Sequence, residues 1–344
     1  MKRTFAVCAA VLSVIGALTD SASAQDFYSG KQVRIIVSSA AGGGYDQYAR
    51  MMQRHMAKHI PGVPSFIVVN MPGAGGLTAA NHLYNIAEKD GTVFATLNRY
   101  TAVMPILGVE QAKFKTEGFQ WLGTTASYSD NSYLMFVRAA MPHKNVADMR
   151  DQSKPLHIGV TGTDVPAILK EALNLNFKII GGYKSHEEMA AAFERGEIDG
   201  MTDGYISMKA AKPDWIDKNF IRPMIQFGRV DRLPEMAGTP TARELAQTPE
   251  DRALIEFAEA PLLMARPFAA PPGVPADRVA MLRAAFMKAV NDPDYLVESR
   301  LQKLEHTPTD GATVQQVVND LLKAPPAVVA RYLKALGGKA PSGG

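Results

Sequence analysis

Three glycine-containing turns provide the residue types in this sequence that are best suited to chemistry. They lie at residues 38–44, 70–76 and 161–164, and each follows a short β-branched run and precedes a stretch with helical spacing. A strand, a glycine turn and a helix together direct bare backbone N–H groups and the positive end of a helix dipole at one point. The first turn is followed by Asp46, which we expect to cap the next helix. The chemistry predicted at these turns is the binding of an anion.

Other kinds of site find less support in the sequence. Gln47 and Thr78 stand where a dinucleotide fingerprint needs its third glycine, and no Gly-Lys-Ser/Thr follows either turn. His55 and His59 have metal-ligand spacing, but without a third ligand nearby we expect them on a surface helix face. There is no Gly-x-Ser-x-Gly, and the only cysteine is Cys8. We therefore predict no catalytic residue, no metal and no cofactor.

The elements around these turns alternate between strands and helices. Predicted strands lie at residues 33–37, 66–69, 92–97, 120–123, 133–137, 157–160, 177–180 and 198–203. Alternation of this kind favours mostly parallel sheets with helices on both faces, and ligands then bind beyond the carboxyl ends of the strands. The glycine turns are expected at those ends.

The order of these elements suggests two domains joined by two crossings, at residues 134–137 and 261–268. We predict a signal peptide at 1–24, a discontinuous first domain at 25–131 and 262–344, and a second domain at 132–261. Two lobes joined twice would suit a hinge that closes over a ligand.

The N-terminus indicates export. Lys2 and Arg3 precede an apolar run that is too short to span a bilayer, and Ala22-Ser23-Ala24 is a small-x-small cleavage site. We expect cleavage after Ala24, and a mature chain without cysteine. Its formal charge falls from the +3 of the whole sequence to +2, which argues against nucleic acid as a partner.

Several motifs resemble one family, the TctC/Bug-type substrate-binding proteins of tripartite tricarboxylate transporters. The first signature is Ala41-Gly42-Gly43-Gly44-Tyr45-Asp46, and the second is Asn70-Met71-Pro72-Gly73-Ala74-Gly75-Gly76. Later landmarks are Lys89-Asp90-Gly91-Thr92, Ile198-Asp199-Gly200-Met201-Thr202-Asp203 and Pro271-Pro272-Gly273-Val274-Pro275. Ser38-Ser39 depart from the family, in which Pro-Phe often precedes the first turn.

The resemblance implies a monomeric periplasmic receptor with a two-domain Venus-flytrap fold, which hands a small organic carboxylate to the membrane permease subunits of such a transporter. Two loops of the first domain would grip one carboxylate like a pincer, partly through water. Residues of the second domain would face the far end of the ligand. The ligand-binding candidates are Ala41, Gly42, Gly43, Gly44, Tyr45, Asp46, Pro72, Gly73, Ala74, Gly75, Gly76, Thr78, Asn98, Gly162, Thr163 and Asp203.

Two other functions stay open at this point. An exported α/β enzyme could act on a similar anion, for instance a hydrolase that uses Asp203, because an α/β architecture hosts many functions. A periplasmic sensor could use the same fold to present its ligand to a membrane kinase. The ligand could be a dicarboxylate, a tricarboxylate, an aromatic acid or an amino acid.

Overall fold

Two β-sheets form the framework of the protein. The computed structural model describes residues 27–128, 132–161, 165–183 and 185–338. In chain order the strands are β1 (Gln32–Val37), β2 (Ser65–Asn70), β3 (Val93–Thr96), β4 (Gln120–Thr124), β5 (Tyr133–Arg138), β6 (Leu156–Gly159), β7 (Phe177–Ile180), β8 (Gly200–Gly204), β9 (Ile221–Phe227), β10 (Pro267–Ala270) and β11 (Thr309–Asp310).

Helices cover both sheets. They are α1 (Gly44–His55), α2 (Leu77–Asn85), α3 (Val165–Leu173), α4 (His186–Arg195), α5 (Tyr205–Ala211), α6 (Pro213–Asp217), α7 (Ala242–Leu245), α8 (Pro249–Leu263), α9 (Ala276–Val290), α10 (Pro293–Leu301), α11 (Gly311–Leu322) and α12 (Pro326–Ala335). Short 3₁₀ helices include Ala74–Gly76 and Arg99–Ala102. Within the described residues no helix is both long and apolar enough to cross a membrane.

The first sheet has the strand order β11-β4-β10-β3-β1-β2. β1 pairs in parallel with β2 and β3, whereas β10 lies antiparallel between β3 and β4. The strands β1 to β4 therefore share one direction, and their carboxyl ends meet at one edge. Because β10 runs the opposite way, its first residue lies at that same edge, where Pro267 pairs with Thr124.

The second sheet has the order β7-β6-β8-β5-β9. β6 pairs in parallel with β7 and β8, and β5 is antiparallel to both of its neighbours. Both sheets are thus mixed, with most strands pointing one way. This arrangement confirms the predicted α/β fold class.

The hydrophobic core continues from one sheet to the other. One cluster of buried side chains includes Ile36 and Ala95 of the first sheet, Met135 and Ile158 of the second, and Phe257 of α8. Ion pairs also join three of the helices, since Arg331 of α12 contacts Glu171 of α3 at 3.1 Å and Asp251 of α8 at 2.7 Å. The domain boundaries given above remain a prediction.

The return crossing predicted at residues 261–268 contains the end of α8, which continues through Pro261 to Leu263, and the start of the strand at 267–270. One sequence-based expectation was wrong. His55 is not on an open surface. It is buried, and its Nε2 lies 2.7 Å from Glu298 Oε2.

Candidate ligand-binding site

The first glycine loop connects β1 to α1 and is held by a buried carboxylate. Asp46 is 2% exposed and its Oδ2 accepts a hydrogen bond from the Gly42 N–H at 2.8 Å. The expected helix cap is therefore wrong, since α1 begins at Gly44 and no side chain caps its first turn. Asp46 instead fixes the loop that precedes the helix.

The same carboxylate connects the first loop to the second. Asp46 also accepts hydrogen bonds from Arg50 Nε and from Asn70 Nδ2, each at 2.9 Å. Asn70, the last residue of β2, donates from the same amide to Ser39 O at 3.1 Å. Burial alone would raise the pKa of Asp46, but the hydrogen bonds from Arg50, Gly42 and Asn70 outweigh burial and lower it.

Replacement of Asp46 by alanine should destabilise the protein by about 3 kcal/mol, because a charge-assisted hydrogen-bond network loses the buried carboxylate that accepts from Gly42, Arg50 and Asn70. The pKa is lower in the folded protein, so this stabilisation is present at neutral pH and is lost as the pH falls below about 3.8. Unfolding in guanidinium chloride measures the loss in the free energy of unfolding. Asp214→Ala is the control, because its carboxylate is exposed and pairs with the exposed Lys218. Equal stabilities of the two variants would contradict the role of Asp46.

The second loop depends on glycine conformations. Gly73, Gly75 and Gly76 have φ values of +135°, +64° and +96°, which side chains rarely adopt. A Cβ on Gly76 would lie 3.0 Å from Asn98 Cβ and 3.4 Å from Ser38 Cβ. Position 76 therefore strongly favours glycine, and the second loop packs directly against the residues that follow β1 and β3.

A cavity of about 180 Å³ lies between the two loops. Its walls are formed by Ser38, Ser39, Tyr45, Gly73, Gly75, Gly76 and Asn98. It is smaller than a typical drug-sized pocket and suits a single carboxylate group. Ser38 is buried, and its Oγ has no hydrogen-bond partner within the described part of the chain. That hydroxyl is free to bind a ligand oxygen or water.

Two walls of the cavity are fixed by bonds to the backbone after β3. Tyr45 Oη accepts a hydrogen bond from the Arg99 N–H at 3.0 Å, and Asn98 Oδ1 accepts one from the Tyr100 N–H at 2.9 Å. Tyr45 also stacks against Arg266, whose Cζ is 4.9 Å from the ring centroid. The aromatic and amide groups at the cavity are therefore held in place before any ligand arrives.

The predicted ligand-binding residues are distributed unevenly around this cavity. Tyr45, Gly73, Gly75, Gly76 and Asn98 form its walls. The other members of the two loops lie beside the walls: Ala41, Gly42, Gly43, Gly44, Asp46, Pro72, Ala74 and Thr78. Gly162 and Thr163 lie outside the described residues.

Asp203 lies at the end of β8 in the second sheet and has partners of its own. Its Oδ2 is 2.9 Å from His186 Nε2, and its Oδ1 accepts the Gly204 N–H at 2.7 Å. The hydrogen bond to Asp203 raises the pKa of His186 above its ordinary value. Asp203 therefore acts as the anchor of His186 in this structure.

Four residues near the site were missed by the sequence analysis: Ser38, Ser39, Arg99 and Arg266. The serines could have been found, because they directly follow β1, whose carboxyl end was expected to carry the site. Arg266 lies between the rings of Tyr45 and Tyr48, with its Cζ at 4.9 and 5.8 Å from their centroids. No local pattern in the sequence indicates that position.

Comparisons with known proteins find similarity only in structure. No family model and no curated protein matches the chain. A TctC solute-binding protein from Polaromonas has a TM-score of 0.68 and 20% identity, over 91% of this chain and all of that one. The periplasmic binding protein BugD has a TM-score of 0.58 and 18% identity, over 90% of this chain and 98% of that one.

A third similar structure, Rpa4515 from R. palustris, was solved with adipate. Its TM-score is 0.56 and its identity 20%, over 90% of this chain and 97% of that one. The matches extend along nearly all of each chain, and at these identities they establish a shared fold. This chain therefore has the two-sheet α/β fold of the TctC and Bug periplasmic solute-binding proteins.

Proposed function

We propose that this chain is a periplasmic receptor of the tripartite tricarboxylate transporter type. It captures a small organic carboxylate between its two sheets and delivers it to the membrane permease subunits of such a transporter. The observation that carries the proposal is the cavity between the two glycine loops. It lies at the carboxyl ends of β1 and β3, and neutral hydroxyl, amide and backbone groups line it.

These groups suit a carboxylate better than a phosphoester. A carboxylate oxygen accepts hydrogen bonds from hydroxyl and amide groups such as those of Ser38 and Asn98. Nucleotide sites instead use a longer glycine fingerprint or a lysine, and neither follows these loops. The adipate in Rpa4515 shows that this fold can hold a dicarboxylate.

Export, cleavage after Ala24, a monomeric state and the permease partner belong to the same proposal. Their support is the N-terminal sequence pattern together with a fold shared with periplasmic binding proteins. The alternative, an enzyme that uses Asp203, is decided by experiment, because the contacts of this carboxylate with His186 and with the Gly204 N–H are compatible with either function.

Thermal unfolding in the presence of organic acids tests the receptor function. An acid present at one hundred times its dissociation constant should stabilise the folded state by about 2.7 kcal/mol, which corresponds to a rise of several degrees in melting temperature. Nucleotides and neutral sugars should leave the melting temperature unchanged. A shift with a sugar and with no acid would refute the proposal, and conversion of the acid into a product would favour the enzyme.

A further inference from the structure

Arg99 lies directly beside the cavity. It follows the wall residue Asn98 and begins the 3₁₀ helix Arg99–Ala102 after β3. Its backbone N–H holds the hydroxyl of Tyr45, a second wall residue. Its guanidinium stacks on the ring of Tyr100 at 5.2 Å. Tyr45 therefore holds the backbone of Arg99, and Tyr100 contacts its guanidinium.

The guanidinium of Arg99 has no hydrogen-bond or ion-pair partner among the residues that the structure describes. Other partly buried arginines do have one, for example Arg138 with Asp199 at 3.1 Å and Arg283 with the Trp121 carbonyl at 2.8 Å. Partial burial of a charge without a partner is unfavourable. The cation–π contact with Tyr100 offsets only part of that cost. An anion that arrives from outside would supply the missing partner.

The charge of Arg99 acts on two tyrosines that lead to the second sheet. Burial raises the pKa of Tyr128 and of Tyr133, and the nearby charge of Arg99 opposes that rise in both. Tyr128 precedes the crossing to the second sheet, and Tyr133 is the first residue of β5. The guanidinium is therefore within electrostatic range of the cavity wall residue Tyr45 and of the first residue of β5.

Two acidic side chains in this region already have hydrogen-bond partners. Asp203 pairs with His186, and Glu305 accepts a hydrogen bond from Ser207 Oγ at 2.8 Å. Arg266 adds a second positive charge, and within the described chain its guanidinium donates only to the Ala265 carbonyl. Within the described residues neither Arg99 nor Arg266 forms an ion pair with a carboxylate, and both lie near a cavity suited to one carboxylate.

We propose that Arg99 binds a second acidic group of the ligand, so that the protein selects small dicarboxylates over monocarboxylates of equal length. The inference rests on the proposed function, because it assigns the far end of the same site. A planar guanidinium can bind a carboxylate through two parallel hydrogen bonds, which makes Arg99 a specificity determinant. The pincer loops recognise the first carboxylate and Arg99 the second.

Calorimetry with matched acids tests the inference. Succinate, glutarate and adipate are each compared with the monocarboxylate of the same carbon number: butanoate, pentanoate and hexanoate. The wild-type protein should bind at least one dicarboxylate about 10- to 100-fold more tightly than its match, as expected for hydrogen bonds to a charged group. In Arg99→Gln that preference should fall to about one, through weaker dicarboxylate binding and unchanged monocarboxylate binding.

Arg195→Gln is the matched control. It removes the same charge from an exposed site on α4, where Arg195 pairs with Glu197, and it should keep the wild-type preference. Circular dichroism melts verify that both variants fold. If Arg99→Gln does not fold, Arg99→Lys decides: its ammonium keeps the charge but cannot make two parallel hydrogen bonds, so the preference for the dicarboxylate should fall below the wild-type value without disappearing. An unchanged preference in Arg99→Lys would overturn the role of the guanidinium.

The possible outcomes separate the inference from the function on which it rests. Equal affinity of the wild-type protein for both members of each pair would overturn the role of Arg99 and leave the carboxylate receptor intact. Equal weakening of both acids in Arg99→Gln would also overturn it, since a purely structural residue would behave in that way. Binding of no acid at all would refute the proposed function itself.

Discussion

Replacement of Gly76 by alanine is expected to abolish carboxylate binding while the protein still folds. The added Cβ would lie 3.0 Å from Asn98 Cβ and 3.4 Å from Ser38 Cβ, so it would push apart the walls of the cavity. The φ of +96° is strained for alanine, and we expect a loss of about 1–3 kcal/mol in the free energy of unfolding. Calorimetry reports the binding, and a circular dichroism melt reports the folding.

Two control substitutions separate strain from obstruction. Gly108 has a φ of +72° and open space around a hypothetical Cβ, so Gly108→Ala should cost stability and leave binding unchanged. Gly43 lies in the first loop with an ordinary φ of −74°. Its Cβ would make normal contacts of 3.4 and 3.5 Å, so Gly43→Ala should fold and bind. Near-native affinity in folded Gly76→Ala protein would show that the ligand binds elsewhere.

The sequence predicts the loops of this site well because their signals are local. A β-branched run, a glycine turn and a helical pattern occupy adjacent positions, and the structure contains β1 and α1, then β2 and α2, around those turns. What the pattern cannot tell is which glycine is essential. Gly43 and Gly76 look alike in sequence, but only Gly76 has a positive φ and a crowded Cβ position.

The rest of the site depends on contacts that are distant in sequence. Arg266 precedes β10, and β10 is inserted antiparallel between β3 and β4. That insertion brings the start of β10 to the carboxyl ends of the neighbouring strands, and so places Arg266 against Tyr45. Strand order arises from packing across the whole sheet, so periodicity near residue 266 contains no information about it.

The end of α8 also depends on contacts that are distant in sequence. A proline inside an apolar run usually ends or kinks a helix. Here Pro261 lies inside α8, which packs against α3, α11 and α12. Those tertiary contacts keep the segment helical despite the proline. A short apolar run in the sequence does not show whether its residues form a buried strand or a helix that is buried on several sides.

Arg243→Met is expected to cause the largest loss of stability among single substitutions outside the site. Glu259 is completely buried in α8, and its Oε2 lies 2.5 Å from Arg243 Nε of α7. Its other oxygen accepts the Gly228 N–H, just after β9, at 2.9 Å. This pair thus ties the end of the second sheet to α8. Removal of one partner of a buried pair costs about 3–5 kcal/mol, because the other charge stays buried without compensation.

The loss should depend on pH in a defined direction. Burial raises the pKa of Glu259 to about 7, although Arg243 opposes that rise. The folded protein therefore holds a proton on Glu259 between its ordinary value of 4.5 and about 7, and this group makes stability fall as the pH rises through that interval. Without Arg243 the pKa should rise further. The variant should then lose more stability relative to wild type at pH 8.5 than at pH 5.5.

Urea unfolding at both pH values measures this difference, and Arg252→Met provides the matched control. Arg252 lies in α8 itself, but it is half exposed and pairs with Glu256 near the surface, so its loss should cost less than about 1 kcal/mol at either pH. The double variant Arg243→Met, Glu259→Gln should recover much of the stability, because no buried charge is then left unpaired. A loss below 1 kcal/mol in Arg243→Met at pH 8.5 would mean that Glu259 is neutral in the folded protein and that the pair does not hold α8 to the second sheet.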